Sequence, residues 1–316
     1  MGKIAFVFSG QGAQYPGMGE SLRACSPAVR ALFDMAEAAR PGISDLTFRG
    51  TAEELKRTVN TQPALYLTDL GAALALREAG IVPDAAGGFS LGELPALAFA
   101  GAYTAETGFS LVLKRAEYMA EASDAMPDTP AMAAVMRLAP AEIEGLCSEI
   151  ENKWPARIWP ANYNAPEQTV ISGTASGAAA FKALCAERGI AARLVDLPVS
   201  GAFHTPFMAP ASEKFAPVLE AVSFVKPEIP VYANLTGGLY PDDPAEYAGI
   251  LSAQIKSPVR WVDEIRAMIA DGADTFVECG PGKTLCGLIR KIDKTVTTLQ
   301  VEDEETLRAA IEALRG

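Results

Sequence analysis

Ser90 stands between two glycines in the stretch Gly88-Phe89-Ser90-Leu91-Gly92. The pattern G-x-S-x-G forms a nucleophile elbow when a strand runs into it and a helix leaves it. Both conditions hold here: Ala85–Phe89 reads as a weak strand and 91–100 as a helix. The spacing has a physical cause. A serine on a sharp turn projects its hydroxyl away from the sheet, and the flanking glycines let the turn pack against its neighbours. The helix behind it presents N–H groups and a positive dipole end to an oxyanion. At neutral pH a serine hydroxyl needs a base. The chain has one histidine, His204, in the loop Ser200-Gly201-Ala202-Phe203-His204-Thr205-Pro206. Nucleophile and base together predict chemistry through an acyl-serine ester. No aspartate stands out as a third member, so the residues allow a dyad or a triad.

Other chemistries find less support. Gly10-Gln11-Gly12 follows an apolar strand as a dinucleotide loop would, but Tyr15 occupies the third glycine position. Gly282-Lys283-Thr284 resembles the end of a phosphate loop, but Val277 occupies the leading glycine position. The five cysteines (Cys25, Cys147, Cys185, Cys279 and Cys286) contain no C-x-x-C pair. With one histidine, that argues against a zinc site and for reduced thiols in a cytosolic protein. The expectation is no metal and no cofactor. Twenty-seven basic and 39 acidic residues give a net charge of −12, which disfavours nucleic-acid binding but leaves room for a local basic patch. The N-terminal apolar run is strand-length and ends in glycines, so it is neither a signal peptide nor a membrane span. Phe6 stands where myristoylation needs Ser or Thr. The chain reads as cytoplasmic.

The elements that would hold the serine and histidine suggest an α/β protein. At roughly 150 residues per domain, 316 residues allow two domains, or one large one with an insertion. Ile4–Phe8 reads as a buried parallel strand, followed by helical spacing over 20–40, 62–80, 91–100 and 105–122. A polar, proline-bearing segment at 124–130 changes the texture. Beyond it, strand, helix, strand, strand, helix and strand follow in turn up to Leu197, the order of a ferredoxin-like unit. The chain then returns to α/β texture: helices near 206–221, 244–255 and 262–271, strands at Val231–Ala233 and Thr275–Glu278, and a basic helix from 284. The expected organisation is a discontinuous, α/β-hydrolase-like large domain with a parallel sheet (1–128 and 199–316) and an inserted ferredoxin-like small domain (129–198). The acidic run at 302–305 reads as the cap of a terminal helix.

The chain also resembles the malonyl-CoA:acyl carrier protein transacylases, acyltransferases of fatty acid and polyketide synthesis. The matching stretches are FVFSGQGAQYPGMG at 6–19, TQPALY at 61–66, GGFSLGELPALAFAGA at 87–102 and LVLKRAEYM at 111–119. NYNAPEQTVISG at 162–173, SGAFHTPFM at 200–208, SAQIKSPVRW at 252–261 and VECGPGKTLCGLI at 277–289 complete the set, in the family's order. The resemblance implies a role for each matching residue. Ser90 would be acylated and His204 would be its base. The N–H groups of Gln11 and Leu91 would form the oxyanion hole. Arg115 would pair with the malonyl carboxylate, and Gln254 would orient His204 through its backbone carbonyl, making a dyad. Taken alone, Arg115 beside Lys114 would pass for a solvated charge. Asn162 and Asn164, on an inferred strand edge of the small domain, would line the cleft or serve turn chemistry, and Phe203, as in malonyl-selective relatives, would crowd a branched acyl group. Substrate and partner would be malonyl-CoA and a holo acyl carrier protein with its phosphopantetheine thiol. Nucleic acid and membrane would have no part. Lys256, Arg260, Lys283, Arg290, Lys291 and Lys294 are candidates for a basic surface facing these anionic partners.

Two residues depart from the pattern. Phe89 stands where many relatives carry histidine, and Pro95 falls inside the helix after Ser90. Competing readings are a discrete polyketide-synthase acyltransferase, a serine hydrolase or thioesterase, and a docking module with a decayed site. The arginine and the lack of an obvious triad acid oppose the hydrolase. The intact Ser90 and His204 oppose the decayed module.

Overall fold

The computed structural model describes residues 2–153 and 156–315. The chain opens with β1 (Lys3–Phe8), α1 (Glu20–Cys25), α2 (Pro27–Ala39), α3 (Ile43–Arg49), α4 (Ala52–Lys56) and α5 (Thr58–Glu78). Next come β2 (Ala85–Gly88), a 3-10 turn over Ser90–Gly92, α6 (Glu93–Phe99) and α7 (Ala105–Asp124). A second region holds β3 (Pro130–Met136), α8 (Pro140–Lys153), β4 (Ile158–Ala165), β5 (Gln168–Thr174), α9 (Ala175–Glu187) and β6 (Arg193–Leu197). The return comprises α10 (Ala209–Glu220), β7 (Tyr232–Ala233), β8 (Gly238–Leu239), α11 (Tyr247–Gln254) and α12 (Trp261–Ala270). It ends with β9 (Ala273–Cys279), α13 (Thr284–Ile292), β10 (Thr297–Val301) and α14 (Glu304–Arg315).

The large sheet is parallel throughout, in the order β10-β9-β1-β2. Its central strand alternates between two cores. Phe6 and Phe8 enter the cluster built with α5, α6 and α7, while Ala5 and Val7 enter the one holding Trp261, Ile265 and Ile289 of α12 and α13. Helices therefore cover both faces, as a buried parallel sheet requires. Phe8 pairs with Gly88 on one side and with Cys279 on the other, so three strands end at the same level. Their exit loops carry Gln11, Ser90 and Gly280. Ligands of open α/β sheets bind in this crevice beyond the carboxyl ends of the strands.

The second sheet has the order β4-β5-β3-β6, antiparallel throughout, with α8 and α9 closing a separate core around Ile143, Ile171 and Phe181. Its edge is not free. Tyr163 N–H donates to the Val259 carbonyl and Val259 N–H to that of Ala161, both at 2.9 Å, which ties β4 to the chain just before α12.

Several element boundaries differ from the sequence expectation for local reasons. The stretch 20–40 is two helices, because Ser26 leaves helical geometry, accepts Val29 N–H with its hydroxyl, and puts Pro27 at the first position of α2. The expected helix 62–80 starts earlier, at Thr58, and runs through Pro63. The Val59 carbonyl that Pro63 cannot serve accepts from Arg40 instead, at 2.8 Å. Helices α3 and α4 and strand β10 were not foreseen. The acidic run does lead into α14, where Asp303 accepts the Thr306 N–H at 2.8 Å.

Candidate active site

The elbow is built as its spacing predicts. Ser90 has φ +55°, the left-handed region that L residues avoid. The glycines around it leave no room for a side chain. A Cβ on Gly88 would lie 2.0 Å from the Gly92 backbone, and one on Gly92 would lie 2.2 Å from the Phe8 carbonyl. Phe89 N–H donates to that same carbonyl at 2.9 Å, which pins the turn to β1.

His204 also sits at positive φ, +59°, in the loop leaving the second sheet, and it is almost fully buried. Its Nε2 lies 2.7 Å from Ser90 Oγ. Its Nδ1 faces two backbone carbonyls, those of Gln254 and Ser257, each at 3.1 Å. A carbonyl can only accept, so the proton belongs on Nδ1, and Nε2 is left free to take the serine proton. Backbone carbonyls thus occupy the third position that the residues alone left open, and the arrangement is a dyad. Burial, and then the nearby Arg115 cation, push the imidazole pKa down to about 4, against the two carbonyls that raise it. The ring is neutral at physiological pH.

Arg115 is not a solvated charge. It is buried on the inner face of α7, while its neighbour Lys114 is exposed and paired with Glu117 at 2.8 Å. Its guanidinium donates to Gln62 Oε1 at 2.9 Å, Gln254 Oε1 at 3.0 Å and Ser90 Oγ at 3.2 Å. Its Nε is buried without an acceptor. Burial brings its pKa down to about 10, against the raising effect of Glu93, and it stays a cation.

These groups open into a cavity of about 300 Å³, lined also by Gln11, Leu91, Asn162 and Phe203. Gln11 lies in the turn after β1, and its side chain donates to Thr58 Oγ1 at 3.4 Å. The N–H of Leu91 falls in the first turn after the elbow, ahead of the 3.0 Å bond from Gly92 N–H to the Phe89 carbonyl. Asn164 lines the cavity too, with a buried Oδ1 that has no partner. All eight residues singled out in the sequence therefore meet at this cavity or in its wall, with Gln254 just behind it. Among the described residues, no three His, Cys, Asp or Glu side chains group as a metal would need.

The acyl transferase domain family matches residues 5–308. The malonyl CoA-acyl carrier protein transacylase of Bacillus subtilis is 40% identical over 316 residues, covering 100% of this chain and 98% of that one. The crystal structure of the transacylase of the same name from Clostridium perfringens superposes with a TM-score of 0.93 at 35% identity, covering 99% of this chain and 97% of that one. A malonyl-transacylase in complex with its type II PKS acyl-carrier protein superposes at 0.92 and 32% identity, covering 98% of this chain and 99% of that one. The chain belongs to the malonyl CoA-acyl carrier protein transacylase family.

Phe89 lines the cavity and packs edge-on against Trp261 with ring centroids 5.5 Å apart. Pro95 is the third residue of α6, in the first turn, where a helix tolerates proline best, and it is buried. The six basic residues are all exposed. Arg260 pairs with Asp263 at 3.6 Å, and Lys291 reaches across to Gln168 of β5 at 2.9 Å. No helix among the described residues is long and apolar enough to cross a membrane.

Four functional neighbours escaped the sequence reading: Gln62, Glu93, Asn234 and Tyr240. Glu93 is fully buried three residues after Ser90. It accepts from Gln254 Nε2 at 2.8 Å, from Asn234 N–H at 3.2 Å and from the Tyr240 hydroxyl. Burial raises its pKa to about 7, against these bonds and Arg115, which lower it. The Gln254 carboxamide thus lies between Glu93 and Arg115 and bonds to both, while its backbone carbonyl holds His204. Gln62 lies in the TQPALY stretch and Glu93 in the elbow stretch, both quoted above. Asn234 and Tyr240 fall outside every matching stretch.

Proposed function

We propose that this chain transfers the malonyl group of malonyl-CoA to the phosphopantetheine thiol of a holo acyl carrier protein, through a malonyl-serine ester on Ser90. The observation that carries the reading is the joint placement of a neutral imidazole and a buried guanidinium on one serine hydroxyl. Ser90 Oγ gives its proton to His204 Nε2 and attacks the thioester carbonyl. The N–H groups of Gln11 and Leu91 stabilise the oxyanion. The C–S bond breaks, and the CoA thiolate takes the proton back from His204. The carrier thiol then gives its proton to His204 and attacks the ester, and Ser90 leaves and is reprotonated. The chemistry uses only these groups and the two thiols. Arg115, with its unpartnered Nε, holds the malonyl carboxylate, which would otherwise be buried unpaired. Asn162 lines the same cavity.

The same reading takes the second region, 129–198, as an inserted ferredoxin-like domain, with 1–128 and 199–316 as the large domain. The β4-β5-β3-β6 order and its separate core support it. The outermost bounds, Met1 and Gly316, and residues 154 and 155 lie outside the described residues. All five cysteines are free and four are buried, which suits a cytoplasmic setting. A polyketide carrier is the second reading, favoured by the structural relative solved with its type II PKS carrier.

Intact-mass analysis tests the proposal. Malonyl-CoA should add one malonyl group to the wild type and none to Ser90→Ala. A holo carrier should then remove the group and carry it. Loss of the adduct to water at the same rate without carrier would instead mark a hydrolase. Carriers from the two pathways, compared at equal concentration, identify the partner.

A further inference from the structure

Asn234 follows the short strand β7, is fully buried and does not line the cavity, yet its carboxamide spans the elbow. Its Oδ1 accepts the Ser90 N–H at 2.6 Å. Its Nδ2 donates to the Gly88 carbonyl at 2.6 Å and to Glu264 Oε2 at 2.7 Å. Its main chain is fixed as well: the N–H donates to Glu93 Oε2 at 3.2 Å, and the carbonyl accepts from Arg260 N–H at 3.0 Å. We propose that Asn234, oriented by Glu264, is a positioning residue that sets the backbone of the nucleophile by bridging Gly88 and Ser90 from behind. The inference rests on Ser90 being the nucleophile.

The orientation of the amide follows from its partners. Turned over, Oδ1 would face the Gly88 carbonyl and Nδ2 would face the Ser90 N–H, an acceptor against an acceptor and a donor against a donor. Glu264 is fully buried on α12. Burial, and then the Glu93 carboxyl, push its pKa well above the ordinary range, against the Asn234 and Gly88 donors, which lower it. The need for such a bridge lies in the turn itself. Ser90 sits at φ +55°, and β2 ends at Gly88, so no sheet bond secures the Ser90 N–H. The carboxamide supplies that acceptor and ties it two residues back to the last residue of β2. What it fixes is the direction of the Ser90 Cα–Cβ bond, and hence the 2.7 Å approach of Oγ to His204.

The test separates positioning from folding and from substrate binding. Rapid-quench intact mass gives the rate of malonyl-serine formation. The dissociation constant of malonyl-CoA is measured on a Ser90→Ala background with and without Asn234→Ala, and thermal melting reports the fold. Asn234→Ala should slow acylation by about 10²-fold, the cost of an ångström-scale misplacement of a reacting group. Malonyl-CoA affinity should stay unchanged. Asn234→Asp keeps the acceptor for Ser90 N–H but loses the donor to Gly88, and should recover part of the rate. It also carries the test if the alanine variant does not fold. A folded variant that acylates at the wild-type rate, or one that loses affinity but not rate, overturns the inference. A wild type that forms no adduct, or a Ser90→Ala protein that does, overturns the nucleophile assignment instead.

Discussion

Replacing Arg115 with alanine separates a dicarboxyl-acyl transferase from a generic serine acyl enzyme. In the free protein the guanidinium donates to Gln62, Gln254 and Ser90 Oγ, at 2.9–3.2 Å, and is fully buried. The malonyl carboxylate must lose its water to reach it. Truncating one partner of a buried, hydrogen-bonded charge pair costs about 2–5 kcal/mol. At about 1.4 kcal/mol per factor of ten, kcat/KM for malonyl-CoA should fall roughly 30- to 4,000-fold. The variant also loses the donor to Ser90 Oγ and strands the side-chain oxygens of Gln62 and Gln254. Those losses strike malonyl- and acetyl-CoA alike and cancel in the ratio of the two specificity constants. The ratio is therefore the quantity to measure, by steady-state transfer to one carrier. It should collapse by most of that factor in Arg115→Ala. Arg115→Lys should restore it only in part, since an ammonium cannot hold two oxygens in a planar fork. If both substrates lose activity by the same factor, Arg115 serves the serine or the fold, and the clamp is refuted.

Two further outcomes follow from the site. His204 must be neutral to act, so acylation should rise with pH through a limb near 4, where burial and Arg115 hold the imidazole, and stay flat from about pH 6 to 8. A limb at the ordinary histidine value of about 6.5 would contradict the buried geometry. Phe203 lines the cavity beside His204, and Phe203→Ser should narrow the malonyl-over-methylmalonyl preference, within the roughly 1–3 kcal/mol that one methyl group is worth. An unchanged preference removes Phe203 as the selector.

The elbow was legible because its determinants are local. Two glycines, a strand and a helix within a dozen residues specify the strained serine, and steric exclusion at Gly88 and Gly92 leaves little freedom. His204 was legible by elimination, being the one imidazole in the chain. The parallel sheet was legible in the apolar run of β1. The edge strand β10 was not, since Thr297–Val301 is only partly buried and alternates weakly. The groups behind the serine were hidden for a different reason. Glu93, Asn234 and Glu264 are polar residues on separate elements, held in the core by hydrogen bonds to one another and to Gln254, which only the family resemblance singled out. No periodicity marks such a set.

Arg115 lies between these extremes, and α7 shows why. Its buried positions include Gly108, Val112, Arg115, Met119 and Ala122, a stripe at steps of three and four. Lys114 falls one residue outside that stripe and finds Glu117 in solvent. A cation in register with the apolar face must lose its hydration when the helix packs, and it is retained only where acceptors or an anion await it. The two adjacent basic residues thus have opposite fates fixed by helical phase, which the sequence already contained. The identity of the acceptors was not contained there. Gln62 comes from α5, Gln254 from α11 and the Ser90 hydroxyl from the elbow. Phase marks Arg115 as a buried cation. Only the fold shows that it shares its donors with the nucleophile, and that sharing couples recognition of a carboxylate to the atom that carries the acyl group.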